Sequence, residues 1–245
     1  MQIQFKIYRQ QPNETPTFQN YSLEVESNTT ILDCLNQIKW EQDGSLAFRK
    51  NCRNAICGSC AIRINNRPFL ACKENISTVF TWLEENNYVH TNELTIQPLG
   101  NLPVIKDLVV DMTNFWDDLE RIYPYLIDQR QNKPEQENLQ SPDERKQLTK
   151  TANCILCAAC YSDCDAKGKN ADFVGPHALA KSHRLILDSR DSESSSRLEQ
   201  HSEGTKGVWG CNGCRMCNIS CPMGVDPMSQ IEEMKVRIFD LLDPL

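Results

Sequence analysis

The chain has 245 residues, 24% of them charged and 40% apolar, which suits a folded protein of one large domain or two ordinary ones. Its formal charge of -7 argues against a nucleic-acid partner, which would favour a basic patch. No run reaches the roughly 18 to 20 apolar residues that a membrane span requires, and thirteen cysteines, an odd number, fit a disulfide framework poorly.

In chain order, MQIQFKIYRQ alternates Ile3, Phe5 and Ile7 and reads as a strand rather than a signal or transit peptide. A reducing compartment is the expectation, and there abundant cysteines favour metal binding. YSLEVE, with Leu23 and Val25, predicts a second strand. Thr30 to Trp40 places Ile31, Cys34, Leu35 and Ile38 at helical spacing. Cys34 has no partner at cluster spacing and reads as a small buried hydrophobe. A cysteine loop follows, then Arg67 to Cys72, and a closing strand around Leu94 to Leu99. Residues 1–100 so arranged resemble a β-grasp ferredoxin.

Residues 101–140 read as a connector whose last part, QRQNKPEQENLQ at 129–140, is polar and predicts an exposed loop. From 141 to 245 the chain reads as helical. Ser141 caps a helix, Pro142 takes its first position and Glu144 completes a capping box. Leu179, His183 and Ile186 recur at helical spacing. Asp226-Pro227 opens a last helix whose stripe of Met228, Ile231, Met234, Ile238 and Leu241 predicts core packing. The expected fold class is α+β, an N-terminal β-grasp [2Fe–2S] ferredoxin-like domain followed by an all-α bacterial-ferredoxin-like domain.

The other twelve cysteines carry the chemistry. Cys52-x4-Cys57-x2-Cys60, with Cys72 farther on, has the plant-type [2Fe–2S] spacing. Gly58 sits between ligands, where the chain must curl and turn amide N–H groups toward sulfur. Cys154-x2-Cys157-x2-Cys160-x3-Cys164 and Cys211-x2-Cys214-x2-Cys217-x3-Cys221-Pro222 both follow the bacterial ferredoxin run. In two-cluster ferredoxins the fourth cysteine of each run ligates the other cluster. Cys154, Cys157, Cys160 and Cys221 would then hold one [4Fe–4S], and Cys164, Cys211, Cys214 and Cys217 another centre. A zinc-stabilised structural module is the rival reading. Zinc would want separated Cys-x2-Cys pairs, of which the first run has one, and a zinc ribbon spaces its pairs closer than the second and third runs lie. With twelve thiolates available, His90, His177, His183 and His201 are expected to serve at the surface or in helix packing.

NCRNAICGSC, LACK, PVIKDLVVDM, YPYL, CILCAAC, VGPHALAKSHRLILDSRD and the final Cys221-Pro222 resemble, over nearly the whole chain, the iron–sulfur subunit of succinate dehydrogenase and fumarate reductase. That resemblance implies an electron-transfer subunit of a succinate:quinone oxidoreductase with no catalytic residue of its own, the alternative being a fumarate reductase working in reverse or a related flavoprotein oxidoreductase. A partner flavoprotein carries FAD and performs the carbon chemistry, and membrane-anchor subunits lead indirectly to quinone. It also implies a peripheral place on the cytoplasmic side of a membrane, held by the partners.

Three positions depart from the common pattern. Cys214 is one ligand more than usual, so a [4Fe–4S] third centre is favoured, with [3Fe–4S] as the alternative. Asp165-Ala166-Lys167-Gly168-Lys169 replaces the usual Pro and aromatics after Cys164, and Asn212 replaces a His. The usual quinone pocket does not carry over. These features resemble the less common members with cysteine-rich partner subunits and no haem-bearing anchor, and they favour menaquinone or a different anchor.

Overall fold

Alternation of Ile3, Phe5 and Ile7 builds β1 (Gln2–Arg9), which buries those three side chains completely and turns Gln2 and Gln4 outward. The computed structural model describes residues 1–88, 92–129 and 136–242. After β1 come β2 (Thr17–Glu24), α1 (Ile31–Gln37), β3 (Ala61–Ile64), β4 (Arg67–Leu70), α2 (Ile76–Glu85) and β5 (Glu93–Gln97). They form a five-stranded sheet in the order β2-β1-β5-β3-β4, with β1 antiparallel to β2 and parallel to β5. A parallel neighbour cannot be reached by a hairpin, so a long crossover separates β1 from β5. That crossover carries the first cysteine loop.

Thr30 caps α1 by accepting the Asp33 N–H at 3.1 Å, and the helix buries Ile31, Leu32, Cys34 and Leu35. Cys34 is fully buried, and burial pushes its thiol up to about 12, as befits a packing residue. The regular helix stops before Trp40: from Ile38 to Gln42 it widens into a π-turn. Helix α2 lies where no helix was expected. Asn75 and Thr78 form its capping box, at 2.8 and 3.0 Å, and Ile76, Val79 and Leu83 are its buried face.

Part of the expected connector is also regular. Strands β6 (Val104–Lys106) and β7 (Val109–Val110) pair as a hairpin around Asp107, whose φ is 48°. The buried Asp107 carboxylate accepts from Arg9 Nε at 3.0 Å, the Gln10 N–H at 3.1 Å and the Ala47 N–H at 2.9 Å. It ties the hairpin to the end of β1 and to the approach of the cysteine loop. Residues 130–135 of the expected polar loop lie outside the described residues.

The chain divides into two compact units, Met1–Met112 with Ile155–Ser162, and Thr113–Cys154 with Asp163–Leu245. The second unit holds α3 (Thr113–Glu120), α4 (Pro142–Gln147) and α5 (Thr149–Ala152), whereas α6 (Ala159–Ser162) belongs to the first. After it come α7 (Asp165–Lys169), α8 (Gly175–Ile186), α9 (Ser194–Ser202), α10 (Met216–Ile219) and α11 (Pro227–Leu242). Ser141 and Glu144 form the expected capping box at the start of α4. Helix α8 is the centre of this unit and packs against α3, α5, α9 and α11. Along α11, Met228, Ile231, Met234 and Ile238 are buried, but Leu241 is 37% exposed, so the expected stripe ends one turn early. No helix among the described residues is long and apolar enough to cross a membrane.

His177, His183 and His201 are buried between these helices, and His90 lies outside the described residues. His177 stacks on Phe115 at 4.0 Å between ring centres and donates from Nε2 to the Phe115 carbonyl at 3.0 Å. Burial, together with the Lys167 charge, holds its pKa down to about 3, and burial beside Arg197 holds His201 at about 4. The unfolded chain takes up protons on these rings near pH 6.5 while the folded chain does not. Stability is therefore expected to fall as pH drops from about 6.5 toward about 4. Urea midpoints across that window should show a shallower slope for His177→Gln than for the parent; equal slopes would rule the ring out as a source.

Candidate iron–sulfur sites

The first cysteine set is assembled by a hairpin. Strands β3 and β4 are joined by Asn65 and Asn66, at φ 47° and 65°, a two-residue turn that asparagine tolerates. Ala61 pairs with Leu70, and the Ala71 N–H reaches the Cys60 carbonyl at 3.2 Å. Cys60 and Cys72 thus emerge together at the open end of the hairpin. The other two cysteines of the set lie on the preceding loop, where Arg53, Ala55 and Gly58 all adopt left-handed φ values of 56°, 54° and 71°. These curls aim backbone N–H groups at sulfur. Asn54 and Cys57 donate to Cys52 Sγ at 3.3 and 3.4 Å, and Ala55 donates to Cys72 Sγ at 3.3 Å.

The electrostatics follow. Cys52 is exposed, and the N–H groups of Asn54, Ile56 and Cys57 draw its thiol down to about 6. Cys60 is buried, and burial pushes its thiol up to about 12, with the neighbouring Cys72 and Cys57 sulfurs adding to the rise. Four such sulfurs repel one another when ionised, and a multiply charged cation removes that conflict. Thiolate donors with backbone N–H groups directed at them fit an iron–sulfur centre. Gly58 has a second reason to be glycine: a Cβ there would lie 2.8 Å from both Cα and Cβ of Cys157, in the same compact unit.

In the second run, Leu156 and Ala158 are left-handed at φ 54° and 62°, curling the chain between ligands. Cys157 and Cys160 belong to the first unit, Cys154 and Cys221 to the second. The Cys154 carbonyl accepts from Lys181 Nζ at 3.1 Å, and Cys221 Sγ accepts the Val225 N–H at 3.4 Å.

The third set lies wholly within the second unit. Cys164 caps α7, its Sγ accepting the Lys167 N–H at 3.4 Å, and Cys217 sits in α10. The loop of Cys211 and Cys214 lies near both. Burial foremost, with the sulfurs of Cys211 and Cys214 contributing, pushes Cys164 up to about 11 and Cys217 up to about 12. All four thiols are therefore within electrostatic reach of one another, Cys214 included. Cys211 Sγ also lies 3.5 Å from Met228 Sδ. Sequence reasoning noticed Asn212 only as a replacement for histidine. Its side chain in fact joins two parts of the site, accepting the Cys214 N–H at 3.3 Å and donating to Asp165 Oδ2 at 2.7 Å. Asn two residues before the cysteine was the available signal, since Asn commonly bonds backbone two positions on.

Among the described residues no group of three or more His, Cys, Asp or Glu side chains is placed to hold a single metal ion, but thiolate donors of this kind suit iron–sulfur centres. The family model described as "2Fe-2S iron-sulfur cluster binding domain" matches residues 4–117, and that described as "4Fe-4S dicluster domain" matches residues 150–225. The mitochondrial succinate dehydrogenase (ubiquinone) iron–sulfur subunit 3 of Arabidopsis thaliana is 38% identical over 248 residues, covering 99% of this chain and 76% of that protein. The chain belongs to the succinate dehydrogenase and fumarate reductase iron–sulfur subunit family. The fumarate reductase iron–sulfur subunit of an Escherichia coli strain is 35% identical over 237 residues, 97% of this chain and 92% of the relative. The fold matches a chain in a structure titled "Mycobacterium smegmatis Sdh1 complex in the apo form", with a TM-score of 0.86 over 100% of this chain and 98% of that one, at 24% identity. Members of this family are electron-transfer subunits of oxidoreductase complexes, and the α+β class, a ferredoxin-type domain followed by a dicluster domain, is that of the family.

Proposed function

We propose that this chain relays electrons, one at a time, from the FAD of a partner flavoprotein acting on succinate toward membrane quinone. The observation that supports this best is the gathering of four thiols in each compact unit, each set including backbone N–H donors to sulfur. Bound iron–sulfur centres supply one-electron carriers there. The chain's own part is to hold them and tune them. N–H groups aimed at Cys52, Cys72, Cys164 and Cys221 favour extra negative charge on sulfur and so raise the potential of the centre they face.

The ligand sets are Cys52, Cys57, Cys60 and Cys72 for a [2Fe–2S], Cys154, Cys157, Cys160 and Cys221 for a [4Fe–4S], and Cys164, Cys211, Cys214 and Cys217 for a third centre, read as [4Fe–4S]. We place the chain peripherally on the cytoplasmic side of a membrane, held by the flavoprotein and a cysteine-rich anchor, with menaquinone as the acceptor. The reverse direction, fumarate reduction, is the second reading, supported by the fumarate reductase relatives.

A redox titration followed by EPR, with iron counted per chain, tests this. The expected result is one two-iron signal, four-iron signals on reduction, and no three-iron signal in the oxidised state. A colourless protein containing zinc and no iron would overturn the relay.

A further inference from the structure

We infer that Asn212 positions Cys214, and that the iron Cys214 holds is the one the third site releases first. This rests on the four-iron reading above. Cys164 and Cys217 are 8% and 5% exposed and Cys211 is partly covered, whereas Cys214 is exposed. Solvent therefore reaches the set chiefly at Cys214.

Cys214 itself lies outside any helix or strand. Gly213 and Arg215 on either side of it are left-handed, at φ 76° and 60°, and Arg215 is the N-cap residue at which α10 begins. Its backbone N–H is held by Asn212 Oδ1, and Asn212 Nδ2 is in turn held by Asp165, the residue after Cys164. Asp165 is itself steadied by Lys169 at 2.8 Å. Asn212 thus fastens the loop of Cys211 and Cys214 to the start of the helix capped by Cys164. The Arg215 carbonyl accepts the Asn218 and Ile219 N–H groups at 3.0 and 3.4 Å at the start of α10, whereas the Arg215–Glu232 pair at 3.6 Å joins two exposed side chains and contributes little.

Oxidative release balances as follows. A [4Fe–4S]2+ centre becomes [3Fe–4S]+, giving up one Fe2+ and one electron. A one-electron oxidant such as ferricyanide takes the electron, and the freed Cys214 thiolate takes a proton from water.

The test uses the intact, cluster-loaded complex, oxidised with ferricyanide and followed by the EPR signal of a three-iron centre. The dithionite-reduced two-iron signal is the internal standard, because its ligands lie in the other compact unit. Asn212→Ala should release one iron roughly ten- to a hundredfold faster than the parent, the usual cost of losing an outer-shell partner. Asn212→Ser keeps an acceptor for the Cys214 N–H but loses Asp165, and should fall between. Cys214→Ala should show the three-iron signal without oxidant. Release from Asn212→Ala at the parent rate would overturn the inference, as would complete emptying of its third site. A three-iron signal in the parent as isolated would remove the four-iron reading and this inference together. A parent free of that signal, with Asn212→Ala unchanged, would remove only the inference.

Discussion

Gly58→Ala is expected to abolish the two-iron signal and to destabilise the first compact unit by about 3–5 kcal/mol. Two costs add. Left-handed backbone costs an alanine roughly 1–2 kcal/mol, and the new methyl group would sit 2.8 Å from Cys157 Cα, a backbone atom that no side-chain rotation can move away. Relief requires shifting either the loop between Cys57 and Cys60 or the segment of Cys157, and both carry cysteines proposed as ligands. Gly204→Ala separates the two costs: its φ is 55° but nothing lies within 4 Å of the added carbon. That variant should lose only the conformational part. Denaturant midpoints and iron per chain decide the matter, and Gly58→Ala with full iron and parental stability would refute the clash.

Arg197→Ala carries the other large effect, a loss of about 3–5 kcal/mol from the second unit. The buried guanidinium makes a two-pronged pair with Asp191, Nε at 3.1 Å and an Nη at 3.0 Å. Its remaining donors reach the carbonyls of Ile122, Tyr123 and Tyr125 at 2.9, 3.0 and 2.9 Å. Removing it leaves a fully buried carboxylate without its counter-charge and takes a donor from three carbonyls of an irregular segment, of which Tyr123's keeps the Tyr125 N–H at 2.7 Å. Arg197→Lys keeps the charge but not the planar fork, so it should recover only a minor part. Chemical denaturation of the two variants checks this, and a lysine variant as stable as the parent would show that charge alone matters there.

The cysteine spacings made the two cluster-binding domain types legible because each run is short and local. The strand of Ile3, Phe5 and Ile7 and the Ser141 capping box were legible for the same reason, one period or one motif within a few residues. Helix α2 escaped although Asn75 and Thr78 mark its start, because its apolar face follows closely on a cysteine and reads as loop. The β6–β7 hairpin escaped because two- and three-residue strands carry almost no period, and its organiser, Asp107, acts through Arg9 and Ala47 far away in sequence. Nothing local announces such a carboxylate. The Arg197 fork, which reaches back over 70 residues to Ile122 and its neighbours, was illegible for that reason too. Asn212 shows the intermediate case: its bond to Cys214 is local, but its bond to Asp165 spans 47 residues.

The membership of Ile155–Ser162 in the first unit bears on how the protein is made. As the chain leaves the ribosome, residues 1–112 emerge complete in sequence yet without the segment against which Gly58 packs. Domains that finish early can fold early, but this one must wait for the stretch from 113 to 154 to pass before its last piece arrives. During that interval the loop of Cys52, Cys57 and Cys60 stands uncovered on the side facing Cys157. Metal delivery to the nascent chain therefore meets the loop without its Cys157 neighbour, and delivery after synthesis meets it with that side covered and Cys52 still exposed.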